Sequence, residues 1–154
     1  WNSINYRRTS EIKKVCKNFD FWKIILFLEG MRRNPFWKYL GPEDRMQNSV
    51  MNFIRAHYPK ALVTHATNEG KRTPFERYKL KYLGATAGIP DVLVFTPNAK
   101  YNGLAIELKY KYNKPTKAQE VWLKELKMCG WYAVVSNDID KTIDVIRKYF
   151  KDEL

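Results

Sequence analysis

Glu107, Lys109 and Asp91 are the side chains whose type and spacing could do chemistry together. In the stretch Leu104 to Tyr110, Leu104, Ile106 and Leu108 alternate on one face, and the two-residue period of a strand puts Glu107 and Lys109 on the other. A carboxylate beside an ammonium in so apolar a strand is costly unless each is paired or holds a metal or substrate. Taken alone, Glu-x-Lys describes an ion pair on a solvated sheet face equally well, and that is its commoner use. Asp91 adds a second carboxylate. It opens the preceding β-rich segment, after Gly88-Ile89-Pro90, where a hairpin can bring it alongside Glu107. Two carboxylates from adjacent strands offer hard oxygen ligands to Mg²⁺ or Mn²⁺. Such a cation polarises phosphoryl oxygens and lowers the pKa of a bound water. Lys109 would then stand where it can orient or deprotonate that water, or stabilise developing charge.

The surrounding pattern supplies the elements that must hold these groups. Gly41-Pro42 marks a boundary, and Pro42 suits the first position of a helix. Met46, Val50, Phe53 and Ile54 then recur at helical spacing until Tyr58-Pro59. Ala61 to Ala66 reads as a short strand and Asn68 to Arg72 as a polar loop. Thr73-Pro74-Phe75-Glu76 is a capping box that opens a short helix closed by Gly84. Asp91 to Phe95 and Leu104 to Tyr110 form the hairpin. Thr116 and Gln119 form a second capping box, for a helix reaching about Met128, with Gly130 just beyond it. Trp131 to Ser136 is a further strand, and Ile139, Ile143, Ile146 and Phe150 mark a last amphipathic helix. The order predicts an α/β fold, a small mixed sheet flanked by helices.

Composition fits that picture. The chain has 154 residues, enough to bury a core without disulfides. Its 28 Lys and Arg against 16 acidic residues leave +12, which favours a polyanionic partner such as nucleic acid, the alternative being a basic surface that serves solubility. Residues 1–40 hold nine basic and three acidic residues, half of the net charge. Interleaved aromatics in that segment suit either strand contacts and base stacking or core filling. Cys16 and Cys129, with His57 and His65, lack zinc-ligand spacing, and both histidines are read as structural. The longest apolar run, Ile24 to Leu28, is too short to span a membrane. The expected location is a reducing compartment, cytoplasm or nucleus, with the terminal Lys151-Asp152-Glu153-Leu154 coincidental rather than a retention signal.

Gly88-Ile89-Pro90-Asp91, fifteen intervening residues, Glu107-Leu108-Lys109 and a downstream Gln119 resemble the PD-(D/E)xK nucleases. The pattern is similar, more narrowly, to the VRR-NUC family, with Glu43 and Gln47 matching an upstream helix and Asn68, Glu69, Gly70 and Arg72 matching a loop. The resemblance covers about residues 42–150. It implies a restriction-endonuclease-like core at 42–154, preceded by a helical basic and aromatic extension at 1–41.

It further implies that Asp91 and Glu107 bind Mg²⁺ or Mn²⁺ with the Leu108 backbone carbonyl, that Lys109 is the catalytic lysine, and that Glu43 and Gln119 hold water or metal. Glu43 is also what the first turn of a helix favours, and Gln119 equally satisfies its capping box. Lys71 and Arg72, then Lys111, Lys114 and Lys117, are candidate backbone contacts that could instead be solvated loops. The resemblance implies a DNA endonuclease leaving 5′-phosphate and 3′-hydroxyl ends, acting on four-way junctions or flaps and possible as a homodimer. The alternatives are a site-specific or mobile-element endonuclease on duplex DNA and a catalytically silent binding module of the same fold.

Overall fold

The computed structural model describes residues 36–66 and 73–154. Residues 1–35 and the loop 67–72, with Lys71 and Arg72, lie outside the described residues, so the expected helical extension at 1–41 is largely outside them too. The chain divides into two units, Trp1–Tyr39 and Leu40–Leu154. Of the first, the described part is a single 3₁₀ turn, Trp37–Tyr39.

In the second unit the elements run α1 (Pro42–His57), β1 (Val63–His65), α2 (Pro74–Tyr82), β2 (Val92–Val94), β3 (Leu104–Leu108), α3 (Lys117–Met128), β4 (Tyr132–Ser136) and α4 (Ile139–Phe150). The caps read from the sequence are present. Thr73 Oγ1 accepts from Glu76 N–H, and Thr116 Oγ1 from Gln119 N–H. Gly130, at φ +79°, ends the turn after α3 in the left-handed region open to glycine.

The sheet order is β1-β2-β3-β4. β2 and β3 form the antiparallel hairpin, with Val92 opposite Ile106 and Val94 opposite Leu104. β1 pairs antiparallel with β2, while β4 lies parallel to β3, with Glu107 opposite Val135. A parallel neighbour needs a crossover, and α3 provides it. The mixed sheet of the sequence analysis is therefore present, with β3 as one of its two inner strands.

The strands are shorter than their apolar runs. Asp91 lies just before β2, and Lys109 and Tyr110 just after β3. Burial of β3 is also more complete than an alternating pattern suggests, since all five of its residues are buried. Both faces are covered. Leu104, Ile106 and Leu108 join Val50, Phe53 and Ile54 of α1 and Ile146 and Tyr149 of α4 in the main core. On the opposite face Ala105 packs with Ala133 and with Leu123 of α3. Glu107 shares that face, so it points to the α3 side and not to solvent. The last residues fold back on the β2–β3 loop, where Asp152 Oδ1 accepts from Ala99 N–H at 2.7 Å. Among the described residues no helix is long and apolar enough to cross a membrane.

Ile106 is fully buried between α1 and α4, so Ile106→Ala removes packed methyl groups from the centre of the fold. Its expected cost is about 2–5 kcal/mol, read as a lowered urea midpoint with an unchanged slope.

Candidate active site

The site is built around the end of β3. Glu107 is fully buried, and Lys109, two residues on and facing the same way, is 9% exposed. Lys109 Nζ donates to Glu107 Oε1, and Gln119 Nε2 donates to the same oxygen. Glu107 Oε2 is buried and has no hydrogen-bond partner. A buried carboxylate oxygen without a partner is costly, so this atom is a candidate ligand for a cation.

Asp91 reaches the site from the start of β2. Its Oδ2 accepts from Leu108 N–H at 2.7 Å, so the backbone of β3 itself orients it. Glu43, in the first turn of α1, accepts at Oε1 from Tyr110 N–H (2.8 Å) and from Asn113 Nδ2 (3.2 Å). The structure thus brings Asp91, Glu107, Lys109, Gln119 and Glu43 to one end of the sheet. Glu43 stands at its rim, with one oxygen committed to the strand exit.

Gln119 completes its capping box and also reaches the site. Its Oε1 accepts from Thr116 N–H at 2.8 Å, completing the capping box, while its Nε2 holds Glu107. Gly88 is explained by the same neighbourhood. It has φ +92°, and a Cβ there would lie 2.5 Å from the Ala118 backbone carbon. The loop before Asp91 therefore lies directly on the N-terminus of α3, and Trp122 Nε1 donating to Ala87 O at 3.1 Å fastens it further.

Electrostatics follow from burial. Loss of solvent pushes the Glu107 carboxyl up to about 7, with the neighbouring Asp91 and Glu43 charges adding to the rise and Lys109 opposing it. Burial also raises Asp91, against the pull of the Leu108 N–H and the Lys109 charge. At Lys109 burial works against the ammonium, but the bond to Glu107 and the surrounding carboxylates outweigh it and raise its pKa.

As cation ligands, Asp91 and Glu107 offer hard oxygens, and Glu107 Oε2 is the free one. Among the described residues no three His, Cys, Asp or Glu side chains converge to hold a metal alone. A cation would need a backbone carbonyl, such as that of Leu108, and water to complete its shell. The donor set fits Mg²⁺ or Mn²⁺ on those terms.

Lys111, Lys114 and Lys117 are exposed on the loop and helix start that follow Lys109. Asn137 Nδ2 braces this loop by donating to Lys111 O at 2.6 Å. His57 stacks on Phe53, with ring centroids 4.2 Å apart, and its Nδ1 lies 3.0 Å from Phe53 O. Asn113, Trp122 and Asn137 carry no motif, and each acts on a residue at least 26 positions away in the chain. Only the folded chain identifies them.

The family model of the VRR-NUC domain matches residues 29–137. No curated protein matches the chain. A solved structure described as a VRR-NUC domain protein is 32% identical, with a TM-score of 0.61 over 73% of this chain and 90% of that one.

Two outcomes follow from the geometry. Gly88→Ala forces a side chain into positive φ and into the α3 backbone, and should cost about 1–3 kcal/mol in chemical denaturation. Glu107 holds its proton more tightly folded than unfolded, so its contribution is fully present below pH 4.5 and lost as the pH rises through about 7. Metal-free protein should lose up to about 3 kcal/mol across that window, whereas Glu107→Gln should show no such slope.

Proposed function

Because the chain belongs to the VRR-NUC domain family, a nuclease family, we propose that it hydrolyses phosphodiester bonds in DNA with the help of Mg²⁺ or Mn²⁺. The observation that carries this reading is the bare, buried Oε2 of Glu107 beside Asp91 and Lys109. A carboxylate held there by two donors on its other oxygen is oriented for a ligand, not for structure alone.

In this reading Asp91 and Glu107, with the Leu108 carbonyl, hold the cation. When bound, the cation supplies charge neutralisation at the phosphoryl group and an acidified water. The protein's own residues do the remaining work. Leu108 N–H fixes Asp91, and Gln119 and Lys109 fix Glu107. Lys109 stands where it can orient the attacking water, take its proton, or stabilise charge on the phosphoryl oxygens. The water oxygen bonds to phosphorus and the bond to O3′ breaks. The water gives up one proton to solvent, directly or by way of Lys109, and the departing O3′ takes one up from solvent, leaving 3′-hydroxyl and 5′-phosphate ends. Lys111, Lys114 and Lys117 line the exit of β3, where they suit contacts to the backbone next to the cut. The substrate assigned is DNA with a four-way junction or a flap.

The test is cleavage of a labelled panel (four-way junction, 5′ flap, duplex and single strand) with Mg²⁺, Mn²⁺ or EDTA. Cleavage of the branched forms should require the metal. It should fall at least about 100-fold in Asp91→Ala, Glu107→Ala and Lys109→Ala, and less in Gln119→Ala. Cutting that survives Glu107→Ala would dismiss the site, and binding without cutting under either metal would favour the silent module.

A further inference from the structure

Helix α2 inverts the usual rule for surface helices. It has no buried residue, and its large aromatics point away from the protein: Phe75 is 70% exposed, Tyr78 65% and Tyr82 78%. At 100° per residue these three lie within roughly 60° of arc. Leu80, half-buried, falls on the opposite side. The stripe is therefore turned to solvent by the way the helix is seated. Such exposed apolar surface is normally kept for a partner.

The chemistry of the helix says what that partner is. Lys79 and Lys81 flank the rings on either side, and the acidic residue of the helix, Glu76, caps it through Thr73 N–H at 2.8 Å and Thr73 Oγ1 at 3.0 Å. What faces outward is cationic and aromatic. A second copy of this helix would bring like charge to it. Tyr78 and Tyr82 stack along the exposed face, within 21° of parallel and with centroids 6.1 Å apart, which leaves their outer faces and edges open to a planar partner.

Position ties these rings to the active site. Tyr82 is six residues from Gly88, at most about 22 Å of chain. Gly88 lies against Ala118, the neighbour of Gln119. That reach is about six nucleotide steps of a strand.

We propose that α2 is a binding site for an unpaired nucleic-acid strand, with Phe75, Tyr78 and Tyr82 stacking on bases and Lys79 and Lys81 contacting phosphates. The choice of polyanion rests on the nuclease reading given above. The helix contacts the strand a few nucleotides from the cut, so it selects substrates that present a single-stranded segment there.

The test is binding by the full chain in EDTA, with no cleavage involved, to a labelled single strand and to a duplex of equal length. The triple variant Phe75→Ala/Tyr78→Ala/Tyr82→Ala should lose about tenfold or more in single-strand affinity and keep its duplex affinity. Tyr78→Phe/Tyr82→Phe, which keeps the rings, should bind as the parent does. Lys79→Ala/Lys81→Ala should flatten the single-strand salt slope by up to about 1.4. An unchanged melting temperature is expected, because the substituted rings are exposed. Undiminished single-strand binding by the triple variant would overturn the proposal. So would equal loss in the phenylalanine variant, or a change of oligomeric state in light scattering, which would give the face to a second copy. Failure here leaves Glu107-dependent cleavage as a separate question, since this measurement needs no catalysis.

Discussion

A carboxylate in the interior of a sheet must be compensated, and the compensation of Glu107 organises this molecule. Its strand is covered on both faces, so water cannot do the work. One oxygen takes donors from Lys109 and Gln119 and the other takes none. Each donor imposes a demand on the fold. Lys109 must follow at the two-residue period, α3 must begin where Gln119 can reach back, and the crossover to β4 must pass over this face. Ala105 and Ala133 leave room for α3 to approach closely. The fold keeps an incompletely satisfied group at its centre, and such a cost persists where function uses it.

Much of this was legible in the sequence because the signals were local. The capping boxes at Thr73 and Thr116 fixed two helix starts. The alternation from Leu104 to Leu108 marked a strand, and Gly-x-Pro-Asp followed by Glu-x-Lys marked the chemistry. Burial on both faces of β3 was not legible, since alternation tells which side chains share a face and not what covers each face. Glu107 and Lys109 could equally have been a solvated pair until α3 was seen above them. Strand ends were missed for a related reason: Asp91 and Lys109 sit in apolar runs, but their side chains serve the site and the ladder stops short of them. The outward turn of α2 was also hidden, because an aromatic stripe at helical spacing ordinarily means core.

The Gly88 loop shows how one glycine can serve chemistry at a distance. Its positive φ and missing Cβ let the loop settle on the N-terminus of α3. Asp91, three residues later, is then delivered to the Leu108 N–H. The same settling anchors the far end of the segment that carries α2. Asp91, the cap of α3 and the segment that carries α2 thus all depend on one close packing contact.

Gln119 shows how little freedom such an arrangement leaves to chemical replacement. Its amide is read from both ends, as an acceptor by Thr116 N–H and as a donor by Glu107 Oε1. Glutamate would keep the cap and set two carboxylates against each other. Lysine would keep the donor and lose the cap, and asparagine has the right groups on a stem one carbon too short. The amide cannot flip either, because the reversed orientation meets donor with donor and acceptor with acceptor. Position 119 is a two-letter word with a fixed reading direction, and glutamine is the side chain that spells it.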